Sequence, residues 1–510
     1  MSLMGLDIGT TGTKAVVFEH EGRILASAYR EYPIHSPRPG WLELDPEEVW
    51  QLVAQAVAEA AHAVQASDPV SALAISCLGE AVVLVDDQGS IIAPTILGFD
   101  NRAEALTKRW LQDHDPFATM QITGMPPSQV FTIFKLMWLK ENQPDVFRRA
   151  RRVLCYQDYA IFRMGMEPQA DYSIAARTMA FDIRAKSWSE RIAAMTGVDV
   201  NLWSKAVPAG TVVGEIGGKA ARALGLPRGC GIVAGAHDQP AGAVGCGVIR
   251  EGLTMDATGT VECLGVALRK PLTNRAMLAS HFCCYPHMVP DLYFSIAFNP
   301  TGGSLLRWFR DTLAGEERQR ATAEGRDVYE ILMEEMDEVP ASGGAQGDLF
   351  VLPHFTMAGN PYMDPLAQGA IVGLSLTTTR GQLIRALLEG ITYEMKLNLH
   401  LWQEAGIQAT EIRAIGGGAR SLRWLQLKAD MFNRPVAQPA VTEAACLGAA
   451  IAAGVGTGVY SSFAEAVERL VRINQTFVPD RERAQLYEQN LEKYRRLYPL
   501  VRAFRTGSDG

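Results

Sequence analysis

Apolar and polar positions along the chain follow two periods, and their alternation predicts an α/β protein. The apolar runs at 3–8, 13–18 and 23–31 are separated by short turns, which is typical of buried strands. Residues 45–65 then begin with a capping Asp45 and an acidic first turn, and their apolar residues recur at helical spacing. Two further strand-like runs follow, at 70–77 and 81–92. This order favours a layered α/β architecture.

The opening pattern returns near the middle of the chain. Residues 252–268 again form an apolar run, an aspartate (Asp256), a Thr-Gly-Thr turn and a second apolar run. The first copy has Asp7 followed by a turn rich in glycine and threonine. The repetition indicates two similar half-molecules, each opening with a strand–turn–strand hairpin.

A chain of 510 residues is too long for one ordinary core, so two domains are expected. The glycine-rich segment before 252 favours a boundary there, and the predicted domains are 1–248 and 249–510.

The second half contains four further predicted elements. Residues 380–406 carry a long apolar stripe at helical spacing, and 411–432 fit a strand, a glycine turn and a helix. Residues 443–458 predict a helix of small residues that allows close packing or a ligand against its face. Residues 481–504 predict one terminal helix, packed on the fold with a solvated face.

Composition and charge narrow the functional classes. The hydrophobic fraction of 48% fits a globular protein. The net charge of -8 and the pI near 5.7 indicate no excess of basic residues that would bind nucleic acid or an anionic membrane. No apolar run approaches the length of about 18 residues expected of a membrane span. The eight cysteines include no Cys-x-x-Cys pair, and no signal-peptide pattern opens the chain. These features predict a cytoplasmic protein with reduced thiols.

The first glycine–threonine turn is a candidate phosphate site. Gly9 and Gly12 let the backbone curl so that successive N–H groups can surround an anion, and Asp7 at the end of the strand could hold Mg²⁺ through water. A plain hairpin would account for the same residues, and the pattern is not a Walker A loop. The predicted phosphate-facing side chains of this turn are Thr10, Thr11, Thr13 and Lys14.

Two more turns could contribute to the same site. Residues 258–260 could supply donors from the second half, and the three glycines at 416–418 lie between a predicted strand and helix. Glycines allow a nucleoside to approach the backbone closely, although a tight strand–helix connection would use them equally well.

Asp238 is the candidate general base. Phosphoryl transfer requires a group that accepts the proton of the attacking hydroxyl, and Asp238 is a carboxylate in an apolar, glycine-rich segment. The alternative is an aspartate that caps the following helix. The neighbouring His237 is more typical of a packing or hydrogen-bonding histidine than of the base.

These motifs resemble the FGGY carbohydrate kinases, which belong to the superfamily of sugar kinases, actin and heat-shock-70 ATPases. The similarity runs from about residue 4 to 480, and Leu387 departs from the family's usual smaller or β-branched residue. The segments that carry it are 7–14, 134–142, 235–248, 256–260, 369–390 and 416–430. The resemblance implies two ribonuclease H-like α/β domains that face an interdomain cleft, with sugar and catalytic aspartate in the first domain and nucleotide in the second.

The resemblance also implies ATP and Mg²⁺ and a role for each matching residue. Asp238 would be the catalytic base and Asp7 the carboxylate near the metal. The nucleotide would contact the first turn and, in the other turns, Thr258, Gly259, Thr260, Gly303, Gly417, Gly418 and Ser421. The substrate would contact Glu80, Asp100, Arg102, Asp238 and Gln239.

The acceptor is left open by two departures from the family patterns. The chain is most similar to xylulokinases, so D-xylulose converted to xylulose 5-phosphate is the first candidate reaction. However, Gly79-Glu80 replaces the Met-His pair of those enzymes, and Val130 stands where glycerol kinases have tyrosine. The alternative acceptors are L-xylulose, ribulose, fuculose, erythritol, glycerol and gluconate.

Two other classes of function compete with a sugar kinase. A protein-partner ATPase of the same superfamily would lack a base such as Asp238, and a dehydrogenase would need a Gly-x-Gly-x-x-Gly turn that the first strand lacks. Family members are often homodimers, so the resemblance also implies a homodimer, although no self-complementary patch in the sequence indicates one.

Overall fold

The computed structural model describes residues 2–336, 339 and 348–507. The outermost residues of the two predicted domains, Met1 and 508–510, therefore lie outside the described residues. Each half of the chain builds one large mixed β-sheet flanked by helices, as the alternating pattern predicts.

The strands are, in chain order, β1 Ser2–Ile8, β2 Gly12–Phe18, β3 Ile24–Glu31, β4 Glu43–Leu44, β5 Val70–Cys77, β6 Val82–Val85, β7 Thr95–Ile96, β8 Arg152–Cys155, β9 Gln169–Asp171, β10 Phe181–Asp182, β11 Ser187–Trp188, β12 Lys205–Val207, β13 Val212–Glu215, β14 Gly231–His237, β15 Leu253–Thr258, β16 Glu262–Leu268, β17 Tyr285–Pro286, β18 Tyr293–Asn299, β19 Phe350–Leu352, β20 Ala370–Val372, β21 Glu411–Ile415, β22 Val436–Pro439 and β23 Ile473–Phe477.

The α-helices are α1 Pro46–Val64, α2 Glu104–Asp113, α3 Pro116–Thr123, α4 Thr132–Asn142, α5 Pro144–Arg149, α6 Tyr156–Arg163, α7 Tyr172–Ala176, α8 Glu190–Thr196, α9 Gly218–Ala223, α10 Asp238–Gly245, α11 Arg275–Ala279, α12 Gly303–Leu313, α13 Gly315–Glu324, α14 Val328–Glu334, α15 Arg380–Glu404, α16 Leu422–Phe432, α17 Ala444–Gly456, α18 Phe463–Leu470, α19 Arg481–Tyr494 and α20 Leu497–Thr506. Asp45 caps α1 by accepting hydrogen bonds from the backbone N–H groups of Glu47 and Glu48, as its sequence predicts.

The two large sheets share the order of six strands, which confirms the internal repeat, and the second sheet has β17 as an additional edge strand. In the first sheet the order is β13-β14-β5-β1-β2-β3, and in the second it is β17-β18-β16-β15-β21-β22-β23. The opening hairpin is antiparallel in both, and its first strand pairs in parallel with the next strand, β5 or β21. A further parallel strand and an antiparallel edge strand complete each series. The two opening turns therefore occupy equivalent edges of their sheets.

The helix of small residues, α17, packs tightly on the first half. Its apolar side joins a core cluster with strands of the first sheet. A Cβ atom on Gly448 would lie 1.9 Å from the carbonyl oxygen of Ala241, and one on Gly245 would lie 1.9 Å from that of Ala444. The crossing of α10 and α17 therefore requires glycine, and the small residues serve close packing between the halves.

The C-terminal pattern differs from the prediction of a single helix. Residues 481–504 form α19 and α20, which meet at Arg495 and Arg496. Pro499 falls in the first turn of α20, where its missing N–H breaks no helical hydrogen bond. Tyr487 and Tyr494 of α19 are fully buried, so this helix contributes to the core of the second half.

All eight cysteines are buried and lie outside any disulfide. Within the described ranges, no helix combines the length and the apolar character needed to cross a bilayer.

Candidate active site

The first glycine–threonine turn connects β1 to β2 and is closed by a hydrogen bond from the Gly9 N–H to the Gly12 carbonyl at 2.9 Å. Thr11 is exposed and Thr10 is half-buried, so both can meet a ligand. Thr13 differs from the prediction. It is fully buried, and its hydroxyl donates to the Asp7 carbonyl at 2.9 Å, because alternate side chains of a strand point to opposite faces.

Lys14 extends from this turn to the second half of the molecule. Its ammonium group lies 3.0 and 2.9 Å from the two carboxylate oxygens of Glu443, the residue that precedes α17. The side chains of both residues are about one-third exposed. The predicted phosphate-facing cation is thus held at the junction of the two halves.

The second turn and the segment before α12 form one unit. The Gly303 N–H donates to the Gly259 carbonyl at 2.8 Å, and a Cβ atom on Gly303 would lie 2.7 Å from the same oxygen. Gly259 and Thr260 are exposed, and Arg307 of α12 donates to the Thr260 hydroxyl at 3.2 Å. Arg307 belongs to none of the predicted site residues, because a single exposed arginine on a helix carries no specific signal in the sequence.

The glycines at 416–418 lie directly on the second turn. Gly416 has a φ of 82°, and a Cβ atom there would lie 2.6 Å from the Thr258 carbonyl oxygen. A Cβ atom on Gly418 would lie 2.7 Å from the Thr258 Cβ. Ser421 caps α16 by accepting the Trp424 N–H at 3.3 Å. The structure therefore brings together the predicted nucleotide residues of the second half.

A buried polar cluster, consisting of Asp256, Thr258, Glu262 and Lys428, supports these turns. The Lys428 ammonium donates at 2.6 Å to Asp256, at 2.6 Å to the Thr258 hydroxyl and at 2.7 Å to Glu262. Burial would lower the pKa of Lys428, but the two carboxylates outweigh it and raise that pKa. The Thr258 hydroxyl, predicted to face the nucleotide, is instead held inside the cluster.

Asp7 and Asp238 lie at the same edge of the first sheet. Asp7 is the penultimate residue of β1, and Asp238 begins α10 directly after β14, with β5 between the two strands. Burial raises the pKa of Asp238 to about 7, and the charges of Asp7 and Glu80 reinforce the shift. Burial likewise raises the pKa of Asp7 to about 6, opposed by the Ser76 hydroxyl that donates to it at 2.7 Å. Both carboxylates therefore need a positive or proton-donating partner in the cleft.

Asp7 fits a Mg²⁺ ion, because Mg²⁺ in proteins takes most of its ligands from water and phosphate oxygens and needs only one or two carboxylates. One oxygen of Asp7 accepts a hydrogen bond from Ser76, and the positive charge that interacts with the carboxylate is that of Lys14. The other oxygen can therefore bind a cation. The described part of the chain contains no group of three or more His, Cys, Asp or Glu residues arranged to hold a metal by themselves.

Glu80 contacts two basic side chains, Arg177 and Lys135. Its carboxylate forms an ion pair with Arg177, and the Lys135 ammonium donates to its backbone carbonyl at 2.9 Å. Glu80 has a φ of 58°, a conformation that is costly for a residue with a side chain and that often occurs at functional sites. Arg177 also lies 3.5 Å from the Cys283 thiol. Lys135 belongs to the family-like segment 134–142 but was given no role there, and no motif in the sequence includes Arg177.

Asp100 and Arg102 form a buried pair and do not have free, cleft-facing groups as predicted. Their side chains are 0% and 2% exposed. The Asp100 carboxylate accepts hydrogen bonds from Arg102 and from the Leu42 N–H, while the Arg102 guanidinium lies 3.9 Å from the Trp41 ring and also donates to Glu43. All strong bonding capacity of Asp100 is used, so the pair stabilises the loop that carries the exposed Phe99.

Gln239 follows Asp238 on α10 and is half-buried. Its side chain hydrogen-bonds to the Asp238 carboxylate, which lowers the pKa of that group. Its Oε1 atom is buried without a hydrogen-bond partner among the described residues, so it can accept a bond from a ligand hydroxyl.

Comparison with known proteins gives two matches that follow the two halves. Residues 2–245 match the N-terminal domain of the FGGY family of carbohydrate kinases, and residues 257–457 match the C-terminal domain of that family. Xylulose kinase of Bacillus subtilis is 28% identical over 99% of this chain and 98% of its own length. Autoinducer-2 kinase of Escherichia coli is 30% identical over 97% of this chain and 94% of its own length.

The fold agrees with a solved structure. The crystal structure of xylulose kinase from Rhodospirillum rubrum superposes with a TM-score of 0.88 at 29% sequence identity, and the match covers 99% of each chain. The expected architecture of two α/β domains is thereby confirmed.

Proposed function

Because the chain belongs to the FGGY family of carbohydrate kinases, we propose that it transfers the terminal phosphoryl group of ATP to a hydroxyl of a neutral sugar or polyol, with D-xylulose as the first candidate. The carrying observation is the pair of carboxylates at one edge of the first sheet. Asp238 is within electrostatic reach of both Asp7, beside the first turn, and Glu80.

Asp238 is the proposed catalytic base. Its carboxylate accepts the proton of the attacking hydroxyl while the oxygen of that hydroxyl bonds to the terminal phosphorus of ATP and the bond to ADP breaks. The side chain is 34% exposed, so a substrate hydroxyl can reach it. Enclosure of the reactants between the halves, 1–248 and 249–510 in our division, excludes the water that would otherwise hydrolyse ATP.

The nucleotide is assigned to the turns of both halves. Thr10, Thr11 and Lys14 contact the β- and γ-phosphates in this proposal, with Asp7 as the protein ligand of a magnesium ion that neutralises phosphate charge. The remaining contacts come from the second half through Gly259, Thr260, Gly303, Gly417, Gly418 and Ser421.

The cytoplasmic location and the homodimer stay predictions.

The acceptor is assigned to a surface formed by Glu80, Gln239 and Asp238. The Glu80 carboxylate is paired with the one positive charge of Arg177. Asp238 and Asp7, whose pKa values burial raises to about 7 and about 6, add partial negative charge at neutral pH. Burial lowers the pKa of Lys135 to about 7, so this side chain is only partly protonated at neutral pH and offsets only part of the negative charge. A carboxylate on the substrate would be repelled, which favours ketoses and polyols over aldonates such as gluconate.

A second candidate acceptor is autoinducer-2. It is supported by the 30% identity to the Escherichia coli autoinducer-2 kinase over nearly the whole chain. The replacement of the Met-His pair by Gly79-Glu80 is a reason to test it beside D-xylulose.

A substrate panel tests the proposal. We expect D-xylulose or another neutral acceptor to give the highest kcat/KM, and gluconate a value about 10- to 100-fold lower, since like charges a few ångströms apart cost about 1–3 kcal/mol in a partly solvated site. The measurement is coupled ADP release with D-xylulose, L-xylulose, D-ribulose, L-fuculose, erythritol, glycerol, gluconate and autoinducer-2.

The panel has two informative negative results. Gluconate as the best acceptor would contradict the charge argument alone. ATP turnover that is independent of every acceptor would contradict the carbohydrate assignment and favour a protein-partner ATPase.

The pH dependence of turnover tests the protonation state of the base. Burial, with Asp7 and Glu80, raises the pKa of Asp238 to about 7, and the group must be ionised to accept a proton. Activity is therefore expected to be full above that value and to fall about tenfold for each pH unit below it. The measurement is kcat/KM for the acceptor at saturating ATP and Mg²⁺, and a profile that is flat from pH 5 to 8 would contradict the assignment.

A further inference from the structure

The carboxylate that binds Lys14 stands on a rigid support. Glu443 directly precedes α17, and its backbone carbonyl accepts the Leu447 N–H at 2.9 Å. A Cβ atom on Gly5 of β1 would lie 1.8 Å from the carbonyl oxygen of Cys446, so the first turn of α17 lies directly against the strand. The Cys446 thiol also donates to the Lys14 carbonyl at 3.7 Å. The start of α17 is therefore fixed on the two strands, β1 and β2, that are joined by the first glycine–threonine turn.

The Glu443 side chain is used on Lys14 and not on its own helix. Glu443 occupies the N-cap position of α17, yet among the described residues its carboxylate bonds to no backbone N–H of that helix. Both of its oxygens instead accept hydrogen bonds from the Lys14 ammonium, at 3.0 and 2.9 Å. Bonds in which both partners are charged are stronger and more directional than neutral ones. The position of the ammonium is therefore set by the start of α17.

Lys14 stays accessible while Glu443 holds it. The side chains of the two residues are 33% and 29% exposed. An ammonium group has three N–H donors, of which the two carboxylate oxygens use two, so one remains for a phosphate oxygen. The Lys14 Nζ atom also lies 5.5 Å from the centre of the Tyr29 ring, which belongs to the neighbouring strand β3. The ammonium is thus restrained from two sides without being enclosed.

The pair lies beside the carboxylate to which we assign the magnesium ion. Burial is the main cause that raises the pKa of Asp7, and among the smaller influences the Lys14 charge lowers it while the Glu443 charge raises it. Both charges are therefore within electrostatic reach of Asp7. The held ammonium and the metal carboxylate are placed to act on the same polyphosphate.

We propose that Glu443 is a positioning residue, which holds the Lys14 ammonium beside the first turn so that it meets the terminal phosphates of ATP without a search among rotamers. This inference rests on the proposed contact of Lys14 with those phosphates. A free lysine side chain loses much conformational entropy when a ligand fixes it, and a contact that fixes it in advance removes that cost from binding. The Glu443 charge also repels phosphate, but water and salt screen this repulsion at a one-third-exposed site, so positioning outweighs it.

A double-mutant cycle in the full-length enzyme tests the proposal. Glu443→Gln keeps the size of the side chain but removes its charge, and it should lower kcat/KM for ATP about 3- to 10-fold. Lys14→Met should lower the same constant about 10- to 100-fold, because a cation at the phosphates is lost. The double variant should be no less active than Lys14→Met, since Glu443 acts only through the lysine. Calorimetric titration of ATP should show the same order of affinities, and KM for the acceptor should stay within about twofold.

The control separates positioning from a purely structural role. Asp348→Asn removes the carboxylate of another lysine pair, formed at 2.7 Å with Lys493 of α19, and should leave kcat/KM for ATP unchanged. The thermal midpoint of ligand-free Glu443→Gln should shift by less than about 3 °C, because an ion pair that is one-third exposed contributes little to stability.

Four results would contradict the proposal, and they are distinguishable. Tighter ATP binding in Glu443→Gln would show that the carboxylate competes with phosphate for the lysine. An equal loss on Glu443→Gln with and without Lys14 would show that Glu443 acts by another route. Wild-type kcat/KM in Glu443→Gln, with Lys14→Met impaired, would overturn this inference alone. Wild-type kcat/KM in Lys14→Met would instead remove the proposed phosphate contact of Lys14 on which the inference rests.

Discussion

Replacement of Asp238 by asparagine is expected to lower kcat by about two to four orders of magnitude while ATP and acceptor still bind. The range is the usual effect of losing a general base. Asparagine has the size of aspartate and preserves the packing at the start of α10, but its amide cannot accept the hydroxyl proton. The measurement is coupled ADP release for kcat, with calorimetric titration of ATP and of the acceptor for binding.

The control is Asp87→Asn, at an exposed residue of the turn after β6, which should leave kcat unchanged. Turnover of Asp238→Asn at the wild-type rate would exclude Asp238 from the mechanism. Loss of acceptor binding with intact chemistry at saturation would make it a binding residue and not a base.

Lys428→Met is expected to produce the largest loss of stability, about 3–5 kcal/mol, because it leaves two buried carboxylates without their cation. The side chains of Lys428, Asp256 and Glu262 are 1%, 0% and 0% exposed, so water cannot replace the lost partner. The cluster also supports the second turn, so KM for ATP should rise. Thermal unfolding of the ligand-free protein and steady-state kinetics measure the two effects.

The triple variant Lys428→Met, Asp256→Asn, Glu262→Gln separates charge from shape. It removes the charges of Lys428 and Asp256 and the carboxyl group of Glu262, whose pKa burial raises to about 8, at nearly constant volume, and we expect it to recover most of the lost stability. Lys108→Met removes an exposed lysine that pairs with Glu104 on α2, and it should change stability by less than about 1 kcal/mol. A Lys428→Met protein as stable as the wild type would refute the electrostatic account.

The fold was predictable because its signals are local. The alternation of strand and helix patterns, the Asp45 cap and the repeated opening hairpin are all properties of short segments, and the structure reproduces them. The terminal pattern at 481–504 predicts one helix where the structure has two, because the charged and aromatic periodicity continues across the break at Arg495 and Arg496.

Residues of the candidate site could be predicted only where they belong to a recognisable sequence motif. The glycine turns and Asp238 follow from their segments, whereas Arg177 and Lys428 approach the site through tertiary contacts that no local pattern encodes. A sequence also does not show whether a polar side chain already uses its hydrogen-bonding groups within the protein. The inward hydroxyl of Thr13 and the closed Asp100–Arg102 pair are known only from their partners in space.

The repeated hairpin shows how the same local structure can serve two purposes. Asp7 and Asp256 lie near the ends of the equivalent strands β1 and β15, yet their charges are compensated in opposite ways. The first keeps an incompletely compensated charge beside the cleft, whereas the second is cancelled by an internal lysine that also fixes the neighbouring threonine. The same hairpin thus leaves one aspartate available to a ligand and uses the other as an internal support of its turn, with no difference in strand order.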